Sequence, residues 1–129
     1  MKLFYILLST IFAAAPTLAD DLMFSYNTEL SQADAYSSQG RPLEGWCSLI
    51  QQDRANWHRF SKRDADDEPD PFFDSSERRA LIEGTCRVAQ GQFADPGEQI
   101  RSGNRQFYLT IRVFGQGGRV TRTEFSDGF

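Results

Sequence analysis

The chain has 129 residues, 40% hydrophobic, 25% charged and 13% aromatic, with 14 basic side chains against 18 acidic and a formal net charge of −4. These figures exclude collagen-like, coiled-coil and disulfide-dense classes, and the length bounds the chain to one domain. The acidic balance makes nucleic acid a poor partner.

The N-terminus reads as a leader. Met1 and Lys2 supply a positive start, residues 3–15 are apolar apart from Ser9 and Thr10, and Thr17 and Ala19 put small residues where a signal peptidase cuts. That combination describes a secretory signal peptide over residues 1–19, since a spanning helix needs roughly 20 apolar residues. Asp20, not a cysteine, immediately follows Ala19, which argues against lipoprotein processing. The expected product is a single exported domain, residues 20–129, with 13 basic and 18 acidic side chains, net charge −5 and no stable membrane anchor. Its expected location is periplasmic or secreted.

Within that domain, Leu22, Met23, Phe24 and Tyr26 suit a short strand or a hydrophobic tether. Residues 37–42 read as a loop, because Gly40 and Pro42 punctuate regular structure. Residues 46–50, Trp-Cys-Ser-Leu-Ile, read as a buried strand, with residues 56–60 returning as its hairpin partner. Asp53 and Asn56 suit the turn between them.

Residues 64–74 hold five Asp, one Glu and two prolines, too charged and proline-interrupted for a central strand, so an exposed loop is expected. Asp74 followed by Glu77 resembles a capping box, and residues 75–83 suit two helical turns ended by Gly84, although Ala80, Leu81 and Ile82 could equally begin a strand. Residues 85–88 favour extended chain. Asp95, Pro96 and Gly97 mark a turn.

The C-terminal third carries the strongest pattern. Phe107, Leu109, Ile111 and Val113 alternate with Gln106, Tyr108, Thr110 and Arg112, the period of a strand with one buried face. Residues 115–118, Gly-Gln-Gly-Gly, form a connection, and residues 119–125 alternate again, so an antiparallel hairpin is expected. The resulting fold is mainly β, with α+β as the alternative. It is a small antiparallel sheet or open barrel of about five or six strands, with one short helix and a single disulfide.

Export would place Cys47 and Cys86 in an oxidising compartment, where they have only each other as intramolecular partners. Their spacing fits neither a zinc-finger set nor a C-x-x-C redox pair. The expected bridge closes a ring of about 40 residues, worth on the order of 4 kcal/mol.

Candidate chemistry is sparse. Asp64, Asp66, Glu68 and Asp70 alternate as oxygen ligands for a hard cation would, yet a calcium loop needs Gly at the position of Pro69 and Glu at that of Ser75. A solvated acidic loop or contact with a basic partner surface are the other uses of that segment. His58 is the one side chain with an ordinary pKa near neutrality, but no nucleophile elbow accompanies it. Nor does the Gly-rich connection carry the lysine of a phosphate loop. No catalytic residue and no cofactor is therefore assigned.

Trp57, His58, Tyr108 and Arg112 form the candidate binding surface, because Trp, Tyr and Arg are enriched at interface hot spots. These features point to a non-enzymatic binding or inhibitor-like protein of the cell envelope, whose partner is a protein or another envelope component. The alternatives are a small periplasmic hydrolase using His58 or a carboxylate pair, and a metal-binding structural module built on the acidic loop.

Overall fold

A computed structural model describes Ala14 and residues 19–89, 91–92 and 94–128. Apart from Ala14 and Ala19, the expected leader lies outside the described residues. Among those residues no helix is long and apolar enough to cross a membrane.

The architecture is α+β rather than mainly β. Among the described residues four strands, β1 (Asp21–Leu30), β2 (Cys86–Arg87), β3 (Phe107–Gln116) and β4 (Arg119–Asp127), form one open sheet in the order β1-β3-β4-β2. The β1–β3 and β3–β4 pairs are antiparallel and the β2–β4 pair is parallel. The sheet is therefore mixed, with fewer strands than expected and no barrel closure. Three helices, α1 (Trp46–His58), α2 (Ser76–Thr85) and α3 (Pro96–Arg101), accompany it, with a 3-10 turn at Gln32–Ala35.

The β3–β4 hairpin forms as its alternation requires. Phe107, Leu109, Ile111 and Val113 are buried, while Tyr108 is exposed and Thr110, Arg112 and Phe114 are partly buried on the other side. The connection is a two-residue turn, Gly117 and Gly118, both at positive φ, the backbone that suits the right-handed twist of a hairpin.

The expected strand over residues 46–50, the turn at Asp53 and Asn56, and the returning strand to Phe60 are replaced by one helix. Trp46, Leu49, Ile50, Asp53, Arg54 and Trp57 recur at helical spacing, and the first five are buried. Two of these inward positions carry charges, which hides the stripe from a hydrophobicity reading. The interior between them, Gln51, Gln52 and Ala55, consists of good helix formers.

Helix α2 forms one residue later than its capping pattern suggested. Ser75 is the N-cap, and its hydroxyl accepts the Arg78 N–H. The expected turn at residues 95–97 is the start of α3, with Pro96 in its first turn, where the missing N–H costs nothing. Gly97 has no room for a side chain, since a Cβ there would lie 1.8 Å from the Leu43 carbonyl oxygen.

The core lies between the helices and one sheet face. Trp46 meets Phe107 edge-on at 4.7 Å and tilts over Phe125 at 5.2 Å. The Cys47–Cys86 disulfide, with Cα atoms 5.9 Å apart, ties the first turn of α1 to β2. The helices and the core thus occupy one side of the sheet, and the row through Tyr108 and Arg112 faces the other.

Candidate functional site

Two regions concentrate polar chemistry. On the open face of the sheet, strand register sets Arg112 between Ser25 of β1 and Glu124 of β4, and Arg87 of β2 beside Glu124. Arg112 donates to Ser126 Oγ at 3.3 Å. Arg122 stacks 3.9 Å from the centroid of Phe114 and is paired with Asp20 at 3.0 Å and with Glu124. Arg87 and Arg112 line a recess of about 320 Å³ together with Val88 and Glu124. Among the described residues neither arginine forms an ion pair. Tyr108 stands exposed on the same face.

The second region is buried, where the last turns of α1 meet β1 and the acidic segment. Arg54 is fully buried, yet its guanidinium reaches Asp53 at 2.9 Å, Asp70 at 3.0 Å, the Glu68 carbonyl at 2.9 Å and Thr28 Oγ at 3.2 Å. It also lies 4.2 Å from the centroid of Tyr26. A buried charge survives only when paired and hydrogen-bonded in this way. His58 Nε2 approaches Asp70 Oδ2 at 2.7 Å, so the ring is engaged in fixing the loop.

The acidic segment is not a solvated loop throughout. It lies along the free edge of β1: Glu68 N–H donates to the Asn27 carbonyl, and Asn27 N–H donates to Glu68 Oε2. Glu29 N–H and the Thr28 hydroxyl meet Asp67 Oδ1 at 2.9 Å. Asp64 accepts from Ser31 Oγ at 2.8 Å. Carboxylates thus occupy edge donors that another strand would otherwise use.

Local electrostatics differ sharply between these carboxyls. Burial, with the negative charge of Asp53 next in weight, pushes Asp34 up to about 8. Burial also raises Asp53, to about 7, against the pull of Arg54. Thr28 Oγ lies 2.9 Å from both Asp53 Oδ1 and Asp67 Oδ1, and one hydroxyl hydrogen serves one oxygen at a time. A proton retained on a carboxyl satisfies the second contact. Asp70 goes the other way: burial would raise it, but the Phe73 N–H, His58, the Phe72 N–H and Arg54 outweigh that and hold it below its ordinary value.

The candidate binding residues split between the two regions. Tyr108 and Arg112 share the open sheet face, whereas Trp57 and His58 belong to the helical layer. The four candidate metal ligands do not converge: Asp64 is held by Ser31, Glu68 by Asn27 and Asp70 by Arg54 and His58, while Asp66 is exposed. Among the described residues no group of three or more His, Cys, Asp or Glu is placed to hold a metal ion. Sequence reasoning missed Arg54 and Asp53, whose signal was the helical spacing from Trp46, and Arg87, which nothing in the sequence marks out. Comparison with protein-family models, with curated proteins and with solved structures found no match.

Proposed function

We propose that this is an exported binding protein of the cell envelope, inhibitor-like in acting by occupying a partner. That partner is a protein presenting carboxylates to the open sheet face. The observation carrying the reading is the recess between Arg87 and Arg112, two arginines with no ion pair among the described residues, beside the exposed side chain of Val88, with Tyr108 exposed further along β3 on the same face. Arginine forks suit carboxylates bidentately, and aromatic or aliphatic neighbours supply the apolar contact that anchors an interface. Export is supported by the leader-like N-terminus and by Asp20, the first residue after the expected cut, whose carboxylate is already held by Arg122 and Thr121.

Two measurements test this. Mass spectrometry of the native protein is expected to find an N-terminus at Asp20; a chain retaining Met1 contradicts the export reading. Immobilised protein is expected to capture one acidic envelope protein, with affinity falling tenfold or more in an Arg87→Ala/Arg112→Ala double variant and falling again as salt is raised. Capture indifferent to both arginines sinks the proposed face.

A further inference from the structure

A separate cavity lies on the helical layer, between the 3-10 turn and the last turns of α1. It encloses about 230 Å³ and is lined by Tyr36, Ser38, Gln52, Asn56, Phe60 and Lys62, among others. Sites for drug-sized ligands run to roughly 300–1,000 Å³, so this one is scaled to a smaller molecule.

The floor is built. Asn56, only 3% exposed, donates through Nδ2 to the Ala33 carbonyl at 3.2 Å and to Asp34 Oδ1 at 2.8 Å. Its Oδ1 accepts from Gln52 Nε2 at 3.1 Å, and Gln52 Nε2 also reaches Ser38 Oγ at 3.4 Å. The amides and hydroxyl are therefore oriented by their own network before anything enters. Tyr36 and Phe60, 41% and 38% exposed, border this polar floor, with the Arg101 guanidinium 5.9 Å from the Tyr36 ring centroid and that of Arg59 5.1 Å from the Phe60 centroid.

The chain bends to complete the site. Ser61 adopts φ 54°, a left-handed conformation that costs a non-glycine residue free energy, and Lys62 N–H closes back on the Asn56 carbonyl at 2.8 Å. This return holds the Lys62 ammonium 5.9 Å from the Phe60 ring centroid, beside the cavity. Among the described residues Lys62 has no ion-pair partner.

We propose that this cavity is a binding site for a sugar acid, a single pyranose unit carrying a carboxylate. The C–H faces of the ring would lie against Tyr36 and Phe60, its hydroxyls would meet Gln52, Asn56 and Ser38, and its carboxylate would pair with Lys62. Aromatic walls with a few oriented polar groups and one cation match that alternation of apolar face, hydroxyl and single negative charge. The inference goes beyond the partner proposed for the sheet face and stands independently of it.

Titration of the full-length protein with glucuronic acid, followed by amide chemical shifts, tests it. Saturable binding in the millimolar range is expected, with shifts confined to the residues around the cavity. Lys62→Gln is expected to weaken it at least tenfold, Phe60→Ala to abolish it, and Glu77→Gln, an exposed position on α2 outside both sites, to leave it unchanged. Residues 60 and 62 are exposed, and a thermal melt on each variant confirms that it folds. No saturation, equal affinity for glucose or for inorganic phosphate, or binding indifferent to both variants overturns the proposal.

Discussion

Arg54 pairs two of the buried carboxyls, holding Asp53 and Asp70 from one guanidinium. Replacing it with Met keeps much of the volume but leaves two carboxyls facing an apolar contact, and breaking a buried pair from one side typically costs about 3–5 kcal/mol. The urea midpoint is expected to fall accordingly at unchanged slope, and a loss below ~1 kcal/mol would mean that the network is dispensable. Asp34 leads the pH response, with Asp53, also raised by burial, acting in the same sense. The unfolded Asp34 carboxyl ionises near ~3.9 and the folded one near about 8, so the folded state binds the extra proton between those values. The stability it contributes is complete below the unfolded value and lost as pH rises through about 8. Asp70, lowered on folding, contributes in the opposite sense: its share is present above the unfolded value and lost as pH falls toward the folded one. The melting temperature is therefore expected to peak on the acidic side of neutrality and decline toward pH 8. Asp34→Asn should flatten the alkaline limb, and a wild-type melting temperature that climbs steadily to pH 8 contradicts the assignment. None of this was legible in the sequence, because an arginine or aspartate looks the same whether solvated or buried, and only its partners decide.

At the scale of elements, legibility followed the side-chain period. Strand β3 announces itself because its alternate positions are apolar and its pattern is unbroken from Phe107 to Val113. Helix α1 repeats as regularly, but Asp53 and Arg54 stand where leucines would, so its apolar residues cluster at 46–50 and resemble a buried strand. The acidic segment is the largely exposed loop that its charge and prolines imply, but part of its chemistry was hidden for a related reason. Its charge count implied solvent, whereas Asp67 and Glu68 serve as hydrogen-bond acceptors for the β1 edge. Asp67→Ala leaves the Glu29 N–H, the Asp64 N–H and one Thr28 contact without that acceptor. A cost of about 1–3 kcal/mol is expected, along with concentration-dependent association as the edge becomes free to pair. Light scattering beside a denaturation curve reads both effects, and a variant that is destabilised but strictly monomeric removes the edge-protection role. The disulfide was legible because two cysteines leave one pairing. Reduction is expected to cost on the order of 4 kcal/mol for a ring of this length, read as the difference between melts with and without reductant.

For the whole molecule, one sheet separates two surfaces of different chemistry. The arginine recess lies on the open face beside β2, and the amide-floored cavity lies among the helices on the other side, with the apolar core between them. The lining residues of the two sites do not overlap, and neither borrows a hydrogen-bond partner from the other. Substitutions at well-separated sites without shared partners add to within about 0.3–0.5 kcal/mol. Combining Lys62→Gln with Arg87→Ala/Arg112→Ala should therefore reproduce the sum of the separate effects on partner affinity and on sugar-acid affinity, each measured by titration. A coupling above ~1 kcal/mol would require a path through the sheet. The network around the fully buried Arg54, which joins β1, α1 and the acidic segment, is one element able to carry it. Repeating the cycle in an Arg54→Met background then separates the cases: coupling that vanishes there assigns the path to the buried charges, and coupling that persists assigns it to the packed core.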